Sequence, residues 1–550
     1  MKIIDRFMKS RFNRLMLFAI CNLLLLGCND GNQGEKSPAP PTQPIVILYD
    51  NDVHCSVEGY PMLVSLRNDC LSRTSFVSTV SCGDFASGGL VGAVSKGEQI
   101  VELMNYVGYD VATLGNHELD YGMPQMFKLT DMLEVPVVCA NLKNVQTDAY
   151  LYPSYKILSY GDVDVAYIGF TTTTSGTVTS LSDEQGNPLY SFMRDDFYDN
   201  AQRVINEARH DGADYVVALA HLGDTHKTGG HPNSRGLISN TTGLDVVIDG
   251  HDHHVIEGEY VNDKEGRTVL ITSSGSNFKY VGQVTINPDG TIESSLFDTS
   301  NGDVVADDAC QQFAKELENR AKANGNFVIG RSEVTLTIND ANGKRLVRKR
   351  ETNLGDFCAD AARIFTGADI ALINGGGIRA DIMQGEVLFN DLYNVMPFGD
   401  EVATGTLSGA QLLDVLEFAV EALPAESGSF MQVSGLRFKV DAEIPSPVVK
   451  VKETGNYSHV GDGERRVSQV EVYDKQTDTF APLDEARQYT IATLDYLIYN
   501  QGGSGILSSA TPDSEYYGAD VEILRHYFET TLGGTVGSEY SQPQGRITFK

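Results

Sequence analysis

The chain has 550 residues, a formal net charge of −32 and a hydrophobic content of 41 %. That length supports about two to four domains with real cores, and the acidic balance excludes a general binder of nucleic-acid backbones, which needs a basic face. A small anionic substrate stays admissible, because a bound metal or an arginine cluster reverses the local field.

Residues 1–27 read as a targeting segment rather than as fold. Lys2, Arg6, Lys9, Arg11 and Arg14 form a positive start, and the apolar run from Leu15 to Leu26 is too short to span a bilayer comfortably. The run ends Leu25-Leu26-Gly27-Cys28. This resembles the bacterial lipoprotein signal, in which cleavage precedes a cysteine that is then lipidated; a plain secretory signal with an incidental cysteine is the alternative. Residues 28–43, with Pro38, Pro40 and Pro41, read as a flexible tether. Cys55, Cys70, Cys82, Cys139, Cys310 and Cys358 are scattered without a CxxC pair, so a zinc-finger framework fails on spacing. In an oxidising compartment some of them could pair, and their spacing does not choose which.

Strand-like runs then alternate with helical ones. Pro44 to Tyr49 is a strand that runs into Asp50-Asn51-Asp52-Val53-His54. Asp52 and His54 are two apart, so in extended backbone they point the same way. Ser75 to Ser81 is a strand ending at Cys82-Gly83-Asp84, where glycine lets the backbone crowd a carboxylate suited to bridging two cations. Glu98 to Val107 has helical apolar spacing. Asp110 to Leu114 reads as a buried strand that delivers Gly115-Asn116-His117-Glu118-Leu119-Asp120 to a loop. Asn116 offers a neutral oxygen to a metal, and His117 offers an imidazole within reach of Asp120. A helix opens at Gly122-Met123-Pro124 and runs to about Leu133. Strands are expected over Val135 to Leu142 and Val163 to Phe170, and a helix over Phe197 to His210. Tyr215 to Ala220 ends at His221, and Leu244 to Asp249 ends at Gly250-His251-Asp252-His253-His254. Thr268 to Thr272 closes this sheet-rich half.

Polar ligand types thus stand at the ends of successive strands, and in layered α/β structures such ends gather along one edge. Nine of the eleven histidines lie before residue 255, a concentration that core filling does not explain. Two cations held by Asp, Asn and His can clamp a phosphoryl group and activate a water.

Asp52-Val53-His54, Gly83-Asp84, Gly115 to Glu118, His221 and Gly250-His251-Asp252-His253 resemble the calcineurin-like metallophosphoesterase signature. The run Gly115 to Asp120 is similar to the bacterial 5′-nucleotidase/UDP-sugar hydrolase family, and Asp120 favours that branch over the cyclic-phosphodiesterase/3′-nucleotidase branch. The resemblance implies one metal on Asp52, His54, Asp84 and His253, and a second on Asp84, Asn116, His221 and His251, with Asp84 bridging. It implies two divalent transition metal ions (Zn, Mn, Fe or Co) and a His117 that stabilises or protonates the phosphate, oriented by Asp120. His226, His231 and His254 take no family role and read as surface or supporting residues.

In the second half, Asp307 to Ala323 looks like a connecting helix stopped by Asn324-Gly325-Asn326. Composition then shifts to loops containing Arg and Gly. A helix is expected from Asp356 to Phe365, and a strand from Asp369 to Ile373 ending at Asn374-Gly375-Gly376-Gly377-Ile378-Arg379. A Gly-rich strand exit with an arginine suits an anionic ligand. Arg348 to Gly355, Asn374 to Arg379, Met396 to Gly399 and Gly502 to Gly505 resemble the 5′-nucleotidase C-terminal domain. The resemblance implies that Arg348 and Arg379 contact the nucleotide, that Phe398 stacks on the base and that Asn374 lines the pocket. Two departures stand out: Ser504 replaces the Asp that commonly holds the ribose, and Ile498 replaces the second stacking aromatic, with Tyr499 beside it. Residues 445–465 form a polar excursion.

The expected architecture is a four-layered α/β/β/α sandwich (44–305), a linking helix and hinge (306–328) and a second α/β nucleotide-recognition domain (329–550). The resemblance implies that the two domains rotate to close the site. The expected reaction is hydrolysis of a nucleoside 5′-monophosphate to nucleoside and phosphate outside the cytoplasm. Alternatives are a 2′,3′-cyclic phosphodiesterase/3′-nucleotidase, a UDP-sugar pyrophosphatase, or a catalytically silent lipid-anchored nucleotide-binding protein. The partners expected are a nucleotide or nucleotide sugar, no nucleic acid, and a membrane only through lipidated Cys28, in a periplasmic or cell-surface location.

Overall fold

The computed structural model describes residues 40–173, 181, 188–224, 231–451, 457–498, 505, 507 and 509–550. Cys28, His226, Tyr499 and Ser504 lie outside the described residues. The N-terminal half carries strands β1 (Ile45–Asp50), β2 (Val77–Ser81), β3 (Val111–Ala112), β4 (Tyr155–Tyr160), β5 (Val163–Thr171), β6 (Tyr215–His221), β7 (Val246–Asp249), β8 (Val255–Asn262), β9 (Thr268–Ser274), β10 (Tyr280–Ile286) and β11 (Ile292–Asp298). One sheet runs β11-β10-β1-β2-β3 and the other β8-β9-β7-β6-β5-β4. β1, β2 and β3 are parallel, with Asp50 opposite Ser81 and Ser81 opposite Ala112. In the second sheet β5, β6, β7 and β9 are parallel. Each sheet therefore presents its carboxyl-end loops as a row.

Period-two alternation builds the layers. Ile45, Ile47 and Tyr49 of β1 join Tyr167, Val217, Leu219 and Ile248 in a core between the sheets. Val46 and Leu48 turn the other way, towards helices α1 (Tyr60–Arg73) and α2 (Glu98–Val107), and share a core with Leu63, Ile100 and Leu103. On the far side, Ala166, Ile168, Phe170, Val216 and Ala218 pack against Phe197, Ala201, Val204 and Ile205 of α4 (Phe197–His210); α3 (Met123–Met132) follows the Gly115–Asp120 loop. Because each sheet is apolar on both faces, it needs a cover on each, and the result is four layers, α/β/β/α.

Helix α5 (Asp308–Asn324) starts at Asp307, whose carboxylate accepts from the Cys310 amide at 2.9 Å. It lies against the N-terminal half: Asp307 N donates to the Pro61 carbonyl at 3.0 Å, and Arg320 pairs with Glu102 at 2.9 Å. In the C-terminal half, α6 (Asn353–Thr366) is capped by Thr352, which accepts from Gly355 N at 3.0 Å. Strands β12 (Ile370–Asn374), β13 (Glu401–Ser408), β14 (Met431–Ser434), β15 (Gln488–Leu494) and β16 (Thr511–Ala519) form a sheet ordered β14-β12-β15-β13-β16. A separate four-stranded sheet runs Thr479–Pro482, Val467–Asp474, Leu436–Val440 and Ile547–Phe549. Among the described residues no helix is long and apolar enough to cross a membrane.

Several expectations change. Thr268 to Thr272 does not close the first half, because β10 and β11 follow and β10 pairs antiparallel with β1. The expected strand over Val135 to Leu142 reduces to a bridge between Ala112 and Val137 and a short strand, Leu142–Asn144. Pro136 has no N–H to give a ladder, and only its carbonyl is used, by Ala112 N at 3.1 Å. The polar excursion contains an antiparallel pair of strands, Val448–Lys450 against Tyr457–Val460. The six cysteines among the described residues are all free and buried.

Gly282 of β10 faces Tyr49, and a Cβ there would lie 1.9 Å from the tyrosine ring. The ring cannot retreat, since its hydroxyl is bonded to Thr272 Oγ1 at 2.6 Å across the inter-sheet core. Gly282→Ala is expected to lower unfolding free energy by about 2–3 kcal/mol, the usual scale of overpacking, read as a fall in the denaturant midpoint.

Candidate metal centre

The row of carboxyl-end loops brings together every N-terminal residue singled out from the sequence as a ligand. Asp52, His54 and His253 place one ligand atom each within 4.8 Å of one another, and Asp84, His221 and His251 form a second such group. Asn116 Oδ1 lies 2.9 Å from His251 Nδ1. The groups adjoin: Asp52 Oδ1 lies 3.5 Å from His253 Nε2 of its own group and 3.7 Å from His221 Nε2 of the other. A third group, Asp224, Asp252 and His254, is an ion-pair network: Asp224 is met by His254 at 2.6 Å and by Arg235 at 3.1 Å. His231 meets Thr173 Oγ1 at 3.0 Å.

The route to this convergence differs from the extended-backbone expectation. β1 ends at Asp50, and Asp52 and His54 have φ of 51° and 44°. Asp84, His251 and His253 are also left-handed, with φ of 57°, 83° and 55°. Non-glycine residues reach this region at a cost that surrounding contacts must meet. Two glycines make the crowding possible: a Cβ on Gly115 would lie 2.0 Å from Asp84 Oδ1, and one on Gly250 would lie 2.8 Å from Asp52 Oδ2.

Glu118 is the residue the sequence reading passed over. Its buried carboxylate accepts from the backbone amides of Asp84 (2.9 Å), Phe85 (2.8 Å), Ala86 (3.0 Å) and Gly115 (2.6 Å). It thereby joins the Gly83-Asp84 loop to the Gly115-Asn116-His117 loop. The His117 amide adds a bond to Asp84 Oδ1 at 2.8 Å.

The donor set fits divalent cations. His221 Nδ1 lies 2.8 Å from the Cys82 carbonyl, to which it must donate, so Nε2 is the atom left for a proton or a cation. That Nε2 is buried without a hydrogen-bond partner and lies 2.8 Å from Asp84 Oδ2, an acceptor. An imidazole nitrogen and a carboxylate oxygen at that distance hold a positive charge between them, a proton or a cation that displaces it. Burial opposes a charged His221, but Asp84 and Asp52 outweigh it and push the imidazole up to about 10. Burial and then His54 hold His253 down at about 3, and burial and then His221 hold His251 at about 4. Neutral imidazoles are the ligating form. His54 Nε2 and His253 Nε2 converge to 3.0 Å.

His117 stands at the edge of this centre. Its Nδ1 is 2.8 Å from Asp120 Oδ2, and its Nε2 is 2.8 Å from Glu401 Oε1, which comes from the start of β13. Burial disfavours the imidazolium, yet Asp120, Glu401 and Asp84 together raise its pKa well above the ordinary value. Glu401 is held down to about 2, because His117 outweighs the effect of its burial.

Next to Glu401 is a cavity of about 580 Å³ lined by Asn374, Gly376, Phe398, Asp400, Ser429 and Tyr496, with Ser56 and Asn277 from the N-terminal half. Arg348 and Arg379 both reach the Gly376 carbonyl, at 3.4 and 3.1 Å, and Arg379 lies 5.6 Å from the centre of the Phe398 ring. Burial and then the charges of Arg345 and Arg379 lower the pKa of Arg348, as expected where cations gather for an anion. Ile498 is buried in the core and does not face this cavity. Tyr496, 40 % exposed, supplies the second aromatic side chain; the run Asp495-Tyr496-Leu497-Ile498 held it in view.

The calcineurin-like phosphoesterase family model matches residues 45–255, and the 5′-nucleotidase C-terminal domain model matches residues 328–509. The chain is a calcineurin-like phosphoesterase with a 5′-nucleotidase C-terminal domain. As a member of that family it is a metal-dependent phosphoric ester hydrolase; the family uses two divalent ions, and this chain presents two candidate clusters for them. A 5′-nucleotidase of Vibrio parahaemolyticus is 26 % identical to the phosphoesterase over 96 % of each chain. The trifunctional nucleotide phosphoesterase YfkN of Bacillus subtilis is 26 % identical over 93 % of this chain, which spans 36 % of that protein's length. The solved NAD nucleotidase of Haemophilus influenzae shares the fold, with a TM-score of 0.66 and 19 % identity over 92 % of this chain and 99 % of that one.

Replacing Glu118 by Gln turns an acceptor of amide hydrogens into a group that faces some of them with its own N–H₂. Glu118→Gln is expected to cost about 3 kcal/mol, since hydrogen bonds to a charged acceptor contribute more than neutral ones, and thermal unfolding of the metal-free chain would show it.

Proposed function

We propose that this phosphoesterase hydrolyses nucleoside 5′-monophosphates to nucleoside and phosphate outside the cytoplasm, anchored by a lipidated Cys28. The supporting observation is the cavity bearing Asn374, Phe398 and Tyr496 next to the histidine and carboxylate centre. The names of relatives point the same way. The proposed boundaries are 44–305 for the phosphoesterase domain, 306–328 for the link and 329–550 for the recognition domain.

In this reading Asp52, His54, Asp84 and His253 hold one cation, and Asp84, Asn116, His221 and His251 hold the other. When bound, the pair supplies positive charge against the phosphoryl oxygens and lowers the pKa of the attacking water. His117 does the rest from its own edge. Asp120 accepts from Nδ1 and, with the neighbouring carboxylates, favours the imidazolium, whose Nε2 carries a proton towards the position where charge develops in the transition state. Arg348 and Arg379 steer the anion, and Phe398 and Tyr496 offer faces to a base. Ser504 and Tyr499, outside the described residues, remain candidates from the sequence for contact with the substrate. Charged nucleotides cross membranes poorly, so hydrolysis before uptake suits nutrient salvage.

His117→Ala is expected to lower turnover by about a hundredfold or more while metal content stays at the wild-type level; loss of metal would make His117 a ligand instead. With the metal-loaded enzyme, phosphate release from AMP is expected to exceed release from 2′,3′-cyclic AMP or cleavage of UDP-glucose, and a chelator is expected to abolish it. Preference for either of the other esters would transfer the assignment to that activity.

A further inference from the structure

Glu401 is the first residue of β13, in the C-terminal half, yet its side chain ends among histidines of the N-terminal half. Oε1 lies 2.8 Å from His117 Nε2 and 4.0 Å from His54 Nδ1. The residue is 6 % exposed, and Oε2 is buried with no hydrogen-bond partner. The backbone holds it there: Glu401 N donates to Asp495 Oδ1 at 3.0 Å, and Glu401 is paired with Ala519 of β16. Asp495 in turn lies 3.8 Å from His253 Nδ1.

His117 Nε2 is the atom that faces the phosphoryl group in the proposed mechanism, because Asp120 occupies Nδ1. A carboxylate and a phosphoryl group both carry anionic oxygens, and both seek that donor. They cannot share it, since two desolvated anions at contact repel strongly. Oε2 of Glu401 is buried without a hydrogen-bond partner, so its hold on His117 rests on one oxygen.

We propose that Glu401 is an intramolecular competitor for the phosphoryl group, holding the anion position against His117 until an ester or free phosphate displaces it. The inference rests on the assignment of His117 to the phosphoryl group. Binding of substrate then requires β13 to withdraw its first residue from the centre, which couples occupancy of the phosphoryl position to the separation of the two halves. After the reaction, the returning carboxylate opposes retention of phosphate.

The test is the equilibrium affinity of the metal-loaded enzyme for inorganic phosphate, measured by titration calorimetry for wild type, Glu401→Gln and Glu401→Ala. Metal content is determined on the same samples. The isosteric glutamine keeps the shape of the side chain if the alanine variant does not fold. Phosphate is expected to bind about tenfold tighter or more to Glu401→Gln, with metal content unchanged and the KM for substrate falling in parallel. Unchanged or weaker phosphate binding would overturn the proposal. So would a loss of metal, which would make Glu401 a metal ligand. No nucleotide enters the calorimetry, so an enzyme that prefers another ester still answers the question.

Discussion

One buried carboxylate fixes the geometry of the whole centre. Glu118 accepts four backbone amides from two loops that leave neighbouring parallel strands. Without it those amides would be buried donors with no partner, each costing about 1–3 kcal/mol. With it, Asp84 and Asn116 are set within a few ångströms of the same point. The left-handed residues Asp52, His54, Asp84, His251 and His253 are sustained by such over-determined loops. The layers beneath, apolar on both faces of both sheets, provide a rigid floor against which the strained loops are held.

Charge is the second constraint. The centre packs Asp52, Asp84 and Glu401 into one buried region among imidazoles, with Glu118 beside them on backbone amides. That arrangement is unfavourable as a set of bare ions and becomes favourable when cations enter. A chain with an overall charge of −32 thus handles an anionic substrate through a locally inverted field, and Arg348 and Arg379 extend that field into the adjoining cavity.

The ligand types and the strands before them were legible because each strand is a short apolar run with a polar exit. Asp52, Asp84, Asn116, His221 and His251 could therefore be grouped from sequence alone. The reason for their convergence was less legible: alternation in extended backbone was expected for Asp52 and His54, whereas both turn left-handed beyond the end of β1. Glu118 was hidden because its partners are backbone amides, which leave no mark in side-chain spacing. Glu401 was hidden because the partner it meets lies in another domain, 284 residues away at His117. Nothing local to Gly399-Asp400-Glu401 announces that contact. Tyr496 was missed because a fixed offset directed attention to Ile498, which the core absorbs.

The two halves meet at the ion pair of His117 with Glu401 and also through a buried apolar cluster that takes residues from each. The central claim is that the N-terminal half holds two divalent ions, with Asp84 common to both. The most direct measurement is the metal-to-chain ratio of purified protein after equilibration with Zn²⁺ or Mn²⁺ and gel filtration, compared with Asp84→Asn. The account predicts two ions per chain in the wild type and a loss of both sites' tight binding in the variant. One ion or none in the wild type, or an undiminished pair in Asp84→Asn, would contradict it.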